Sequence, residues 1–357
     1  MISITKAAAI CNLGENIDEV FLNACNGKLL PHHVTIDLPE IKEEKYNLRC
    51  NRFLLHLYNQ IKKEIDLVIE KYGKKRVAVV IATTNSGIDE YEKTSNTEYL
   101  KMSNPAEFLK DLIGLDNYFS GISTACSSGL KAFSTARKLL ENDICDCVIV
   151  GGVDAIAKLP IAGFSALEVL TDSLTNPFSK NRLGMNIGEG GALFILERNT
   201  EGIKLLGIGE TSDAYNAATP DPKAEQAINA IKMSLEDANL KPEDIDYINM
   251  HATGTIANDL MEARAIHEIF SDKVYAGATK PLTGHCLGAS ASIETAICIK
   301  VLETGIMPPH IYDGEYDENL PKIKLVEKNK NKSDKMNVCM CNAFGFGGTN
   351  AVLILGK

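Results

Sequence analysis

Two stretches of this chain repeat one another in kind and in spacing. Residues 188–196 read G-E-G-G-A-L-F-I-L, and residues 345–355 read G-F-G-G-T-N-A-V-L-I-L. Each glycine pair opens an apolar run of the kind that forms a buried strand. Counting back, Cys126 lies 65 residues before Gly191, and His285 lies 63 before Gly348. Both stand just ahead of a small-residue helix start, S-S-G-L-K-A and L-G-A-S-A-S. The same order at nearly the same spacing predicts two copies of one α/β unit meeting face to face. The junction falls near residues 197–202, where polar residues follow the first run, dividing the chain into halves 1–199 and 200–357. The competing explanation is a chance likeness between two Gly-rich turns.

The intervening pattern fits such units. Residues 49–72 place apolar side chains at Phe53, Leu54, Leu57, Ile61, Ile65, Val68 and Ile69, a helical stripe stopped by Gly73. Strands are predicted at 76–83, 145–152, 245–250 and 274–278, and helices at 222–238 and 259–270. Strands alternating with helices mark an α/β architecture. The polar stretch 327–335 reads as a surface loop.

Composition narrows the function classes. A formal net charge of −10 over 357 residues argues against a nucleic-acid binder. No run approaches the roughly 18 apolar residues that span a membrane. Residues 1–10 lack the pattern of a secretory signal, so a soluble cytoplasmic protein is expected. The ten cysteines show no C-x-x-C pair. Cys145 with Cys147, and Cys339 with Cys341, alternate in strand-like runs and read as core thiols.

Only Cys126 has a setting that suggests reactivity. A tight strand-to-helix turn exposes a side chain as a nucleophile elbow does, and the positive end of the helix lowers a thiol's pKa. Gly129 leaves room for a crossing backbone or a bound acyl group. Taken alone, Cys126 reads equally well as a small buried capping residue. His251, after I-D-Y-I-N-M, and His285, in T-G-H-C-L-G-A-S, both occupy predicted strand-end loops, where catalytic groups collect. Together with Cys126 they form a Cys-His-His set. The same atoms suit zinc, but no fourth ligand is evident, so no metal is expected.

The motifs T-A-C-S-S-G, N-P-F-S-K-N-R-L-G-M-N-I-G-E-G, H-A-T-G-T-I-A-N-D, T-K-P-L-T-G-H-C-L-G-A and N-A-F-G-F-G-G-T-N run in order from Thr124 to Asn350. They resemble the elongating β-ketoacyl-acyl carrier protein synthases. That resemblance implies the thiolase fold, five layers α-β-α-β-α from two duplicated halves, usually as a homodimer. It implies that Cys126 takes an acyl group from a phosphopantetheine thioester delivered by acyl carrier protein, with no bound cofactor. His251 and His285 match the pair that acts on the malonyl thioester, and Lys280 and Glu294 match a buried polar pair beside them. Lys280 reads equally as part of a simple structural ion pair. Phe344 matches the gating aromatic, whose N–H with that of Cys126 forms the oxyanion hole. Thr253 and Thr255 match hydroxyls that bind the pantetheine arm, and Asp259 and Glu262 match structural acids nearby.

The chain also departs from the family. It is short, with residues 85–121 compressed, and its first strand lacks the usual V-T-G-x-G. The segments R-C-N-R-F-L-L and P-F-S-K-N-R-L-G-M-N-I-G-E-G look more like ketosynthases of aryl polyene clusters than fatty acid enzymes. Arg49, Arg52, Lys62, Lys63, Lys74, Lys75 and Arg76 offer a basic rim for an acidic carrier; a solvated helix face explains most of them equally well. Three other functions share the fold. A thiolase needs a second catalytic cysteine in the last loop, which here reads N-A-F-G-F-G-G-T-N. An initiating ketosynthase of the Cys-His-Asn type carries Asn where His285 stands. A non-catalytic chain-length partner lacks the cysteine, although such paralogues do form heterodimers with active enzymes.

Overall fold

The structure is a computed structural model describing residues 1–199 and 201–357. Its strands are β1 (Ser3–Cys11), β2 (Val77–Ala82), β3 (Phe119–Ile122), β4 (Cys147–Asp154), β5 (Gly190–Glu197), β6 (Ile203–Ser212), β7 (Tyr247–Asn249), β8 (Tyr275–Gly277), β9 (Lys324–Leu325), β10 (Val338–Gly345) and β11 (Thr349–Gly356). Its helices are α1 (Ile17–Cys25), α2 (Arg49–Tyr72), α3 (Ile88–Thr94), α4 (Asn104–Ile113), α5 (Ser128–Glu141), α6 (Lys158–Ala166), α7 (Glu225–Ala238), α8 (Ile256–Phe270), α9 (Lys280–Thr283) and α10 (Ser290–Thr304).

The strands follow the order β3-β2-β4-β5-β1-β6-β11-β10-β7-β8-β9. Outward from the β1–β6 junction, the first half runs 1-5-4-2-3 and the second 6-11-10-7-8, with β9 added at the edge. Each side has one antiparallel strand, β5 or β11, followed by parallel neighbours. The glycine-led runs that echo in the sequence are those two strands. Among the described residues, the halves pair as sheets only where Ser3 and Ile4 meet Lys204 and Ile203.

Five layers result. Helices α2 and α4 cover the outer face of the first sheet, and α7 and α8 form the outer layer of the second. Between the sheets lie α5 and α10, each packed on strands of both. This is the thiolase fold, an α/β architecture. Position explains pattern: α2 has one buried face, carrying Phe53, Leu54, Leu57, Ile61, Ile65 and Val68, and ends at Gly73 with φ of 77°. In contrast, α10 is buried on all sides from Ser290 to Ile299, so it shows no amphipathic stripe.

The two central helices approach closely at small residues. A Cβ placed on Gly129 of α5 would lie 2.8 Å from the Ser292 backbone nitrogen of α10. A Cβ on Gly152 of β4 would meet the Ser292 hydroxyl at 2.7 Å. Gly129 therefore makes room for a crossing helix, one of the two uses expected of it. That crossing brings the N-terminal ends of α5 and α10, with Cys126 and His285 ahead of them, together at the middle of the molecule.

Candidate active site

Cys126 sits on the turn between β3 and α5. The preceding Ala125 adopts φ of 52°, a conformation rare for a residue with a Cβ. Hydroxyls hold the turn: Ser128 Oγ donates to the Ala125 carbonyl, and Ser127 Oγ to that of Thr124 at 2.8 Å. The sulfur points at His285, whose Nε2 lies 3.0 Å away. On the far side of that ring, Nδ1 lies 2.9 Å from Ser290 Oγ at the start of α10. With Nδ1–H donated to Ser290, Nε2 is free to accept the thiol proton.

His251 follows β7, and its ring meets that of His285 edge-on with centroids 5.5 Å apart. Lys280 Nζ approaches His251 Nδ1 at 3.4 Å and Glu294 Oε1 at 2.5 Å. Lysine can only donate, so Nδ1 accepts and the ring proton lies on Nε2. Both imidazoles are held well below their ordinary pKa, first by burial and then by Lys280, with His285 adding to the effect on His251. They are neutral at physiological pH. Glu262 fixes the backbone here, accepting from His251 N at 2.7 Å and Ala252 N at 2.6 Å. Asp259 accepts from Gly254 N and Phe178 N, so both acids serve the loop rather than the reacting groups.

Cys126 is raised to about 11 rather than lowered. Desolvation outweighs the Phe346 N–H, Lys280 and the sulfur's own backbone N–H, which all act in the other direction. Moreover α5 begins at Ser128, so Cys126 lies just ahead of the helix and not within its first turn. A neutral thiol hydrogen-bonded to a neutral imidazole describes the resting pair. The three ligand atoms of Cys126, His251 and His285 lie within 4.8 Å of one another, a spacing a metal ion could use. Lys280 beside His251 opposes a divalent cation there.

Two cavities meet at this cluster. One, of about 200 Å³, is lined by His251, Thr253, Thr255, Phe344 and the glycines at 345, 347 and 348. Thr253 and Thr255 face each other at 3.0 Å, and Thr255 also caps α8 through the Asn258 N–H. The other, of about 370 Å³, is apolar and lined by Ile88, Cys126, Leu159, Phe164, Leu167 and Leu287 among others. Phe346 borders both. Cys339 and Cys341 are buried in β10 and line neither of these cavities.

One assignment made from the sequence fails here. Phe344 lies within β10, paired with Asn350, and its ring packs edge-on against His251 with centroids 6.2 Å apart. The N–H that reaches the Cys126 sulfur is that of Phe346, two residues on. A Cβ on Gly345 would come within 3.2 Å of the Cys126 nitrogen, so the 345–346 peptide lies against the elbow. Phe346, edge-on to Phe164 of α6 at 5.3 Å, stands between the two cavities. The sequence offers two phenylalanines one glycine apart; strand pairing, which ends at Gly345, separates them.

Comparison with known proteins gives the same picture. Residues 49–202 match the β-ketoacyl synthase N-terminal domain and residues 203–312 its C-terminal domain. The 3-oxoacyl-[acyl-carrier-protein] synthase 2 of Coxiella burnetii is 32% identical over 358 residues, covering 91% of this chain and 85% of that protein. The chain belongs to the β-ketoacyl synthase family. Nodulation protein E of Rhizobium leguminosarum bv. trifolii is 35% identical over 254 residues, covering 68% of this chain and 62% of its own length. A structure described as the ketosynthase ApeO in complex with its chain length factor ApeC, from Xenorhabdus doucetiae, superposes with a TM-score of 0.94. It is 34% identical, covering 99% of this chain and 97% of the matched chain. The ishigamide ketosynthase/chain length factor, 22% identical at a TM-score of 0.89, shares the fold. Among the described residues of this β-ketoacyl synthase, no helix is long and apolar enough to cross a membrane.

The basic residues expected to form a docking rim are largely engaged within the synthase itself. Arg49 is clamped to buried Glu189 at 2.5 and 2.9 Å, and Arg52 holds the Asn47 side chain. Arg76 pairs with Asp143 and Asp146, and Lys62 with Asp66. At the mouth of the smaller cavity two apolar side chains stand out, Leu183 at 67% exposed and Ile256 at 66%, beside exposed Glu168 and Thr219.

Proposed function

We propose that this chain catalyses a decarboxylative Claisen condensation between an acyl thioester and a malonyl thioester, both carried on acyl carrier protein. The observation that carries this reading is the 3.0 Å contact of Cys126 Sγ with His285 Nε2, with the Phe346 N–H directed at the same sulfur. An acyl-carrier thioester enters past Thr253 and Thr255. Cys126 Sγ bonds to its carbonyl carbon as the thiol proton passes to His285, and the carrier thiol leaves with a proton. The N–H groups of Cys126 and Phe346 hold the tetrahedral oxyanion. The acyl chain occupies the apolar chamber, and Phe346 with Phe164 closes behind it. Malonyl-carrier then binds with its thioester carbonyl toward His251 Nε2–H. Carbon dioxide departs, the enolate attacks the acyl-Cys126 carbonyl, the bond from that carbon to Sγ breaks, and the expelled thiolate takes a proton from solvent to restore the thiol.

Lys280 and Glu294 keep His251 neutral and oriented in this scheme. Thr253 and Thr255 meet the pantetheine arm. The likeness to aryl polyene ketosynthases favours polyene-type chains over saturated ones. Pairing with a second thiolase-fold subunit, a copy or a chain-length paralogue, is supported by α6, none of whose residues is buried, and by the open edge of β3. The intact Cys-His-His set argues against this chain being the non-catalytic member of such a pair.

Intact-mass spectrometry after incubation with acyl-carrier protein tests the scheme. We expect one acyl adduct, absent in Cys126→Ala; an adduct that persists in that variant defeats the proposal. His251→Ala should retain the adduct yet release carbon dioxide from malonyl-carrier ~10²- to 10³-fold more slowly, as for loss of one oxyanion donor.

A further inference from the structure

A buried carboxylate that takes no part in the scheme above joins the two loops that flank Cys126. Asp154 ends β4 with no exposed surface. Its Oδ1 accepts from Thr83 Oγ1 at 2.8 Å, Thr84 N at 2.9 Å and Asn85 N at 2.8 Å. Its Oδ2 accepts from Thr84 N at 3.1 Å and Thr84 Oγ1 at 2.9 Å. The same Thr84 hydroxyl accepts from Gly288 N at 3.4 Å, in the turn Leu287–Ala289. That turn is pressed onto the carboxylate: a Cβ on Gly288 would meet Asp154 Oδ2 and Thr84 Cγ2, each at 2.9 Å. Thr84, Asn85 and Leu287 line the apolar chamber beside Cys126, and the turn connects His285 to Ser290, whose hydroxyl holds the His285 ring.

An unpaired carboxylate in a core is expensive, and a packing role would be served by an apolar residue. Here only N–H and O–H groups hold it in place, and burial raises it to about 6. Among the described residues, the titratable groups its charge acts on are the thiols of Cys50 in α2 and Cys126, both of which it raises. Its charge acts against the Cys126 thiolate, while its hydrogen bonds fix the wall next to the sulfur.

We propose that Asp154 is a positioning residue for acyl transfer, locking the 83–86 loop to the Leu287–Ala289 turn so that the chamber wall and the His285 ring keep their places about Cys126. This rests on the reading of Cys126 as the acyl acceptor. The proton inventory is simple: the carboxylate accepts and never transfers, so no step of the condensation passes through it.

Single-turnover acylation of Cys126, followed by intact mass against acyl-carrier concentration, tests the assignment in two variants. Asp154→Asn places an amide N–H₂ against donors and removes the charge. Thr84→Val keeps the charge and the side-chain shape while breaking the link to Gly288. Both should lower the maximal acylation rate at least tenfold with half-saturation unchanged. Only Asp154→Asn should also move the pH midpoint for Cys126 alkylation downward, because the repelling carboxylate is gone. Acylation within twofold of the parent in both variants overturns the proposal, as does a rise in half-saturation with the maximal rate intact. Should Asp154→Asn fail to fold, Thr84→Val decides alone. An adduct surviving Cys126→Ala would instead bring down the proposed function, whatever these variants do.

Discussion

At Cys126 the balance between burial and stabilising contacts has a measurable sign. Only the thiolate is nucleophilic, and a thiol raised to about 11 is ionised at pH 7 to roughly one part in ten thousand. The ultraviolet thiolate difference between the parent and Cys126→Ser should therefore be flat at neutral pH and emerge only in alkali. A full thiolate signal at pH 7 would contradict the neutral thiol–imidazole pair. Lys280 and Glu294 allow a second check. They are 1% and 2% exposed, so removing one charge strands the other in the core. Lys280→Met should cost about 3–5 kcal/mol in denaturant unfolding, and Lys280→Met/Glu294→Leu should recover part of that loss. Equal stability of the single and double variants would show that the pair is not coupled. The sequence made His251 and His285 visible because their loops are rich in Gly and Thr, whereas Lys280 and Glu294 came only from the family resemblance. It did not separate Phe344 from Phe346, since a one-residue glycine spacer reads the same whether the strand ends before or after it.

The clearest element was one with a long face buried and the other wet. The stripe in α2 yielded its bounds, and the β-branched runs at β2 and β4 stood out for the opposite reason, being apolar throughout. The start of α10 was marked by L-G-A-S-A-S, but its length was hidden, because a helix packed on both sides has no polar face to contrast with. Residues 85–121, read from the sequence as compressed relative to the family, contain α3, α4 and most of β3 joined by short turns. Two glycines test the layer argument directly. Gly129→Ala inserts a methyl 2.8 Å from Ser292 N and should destabilise by about 1–3 kcal/mol, with condensation lost in parallel. Gly163→Ala, in exposed α6 with nothing within 4 Å of the new Cβ, should be neutral or stabilising by up to ~1 kcal/mol. Matching unfolding curves for the two variants would refute the close crossing of α5 and α10.

Taken whole, the molecule carries a formal charge of −10, and most of the arginines and lysines once expected to greet an acidic carrier are tied to its own groups. Apolar contact at the cavity mouth should then dominate recognition. Leu183→Asp and Ile256→Asp are expected to raise KM for acyl-carrier protein about tenfold or more at unchanged kcat, and KM should vary less than about twofold with added salt. A steep rise of KM with salt would restore the basic rim.

The repeated strand order also has a consequence for chemistry. Cys126 and His285 stand at corresponding places in the two copies, just ahead of α5 and α10, and meet where those central helices cross. A perfectly symmetric molecule would be obliged to put the same side chain at both places. Two thiols there would have no base, and two imidazoles no nucleophile. The reaction therefore depends on the copies having become unlike at that one matched position, each holding the half of a reagent that its twin lacks.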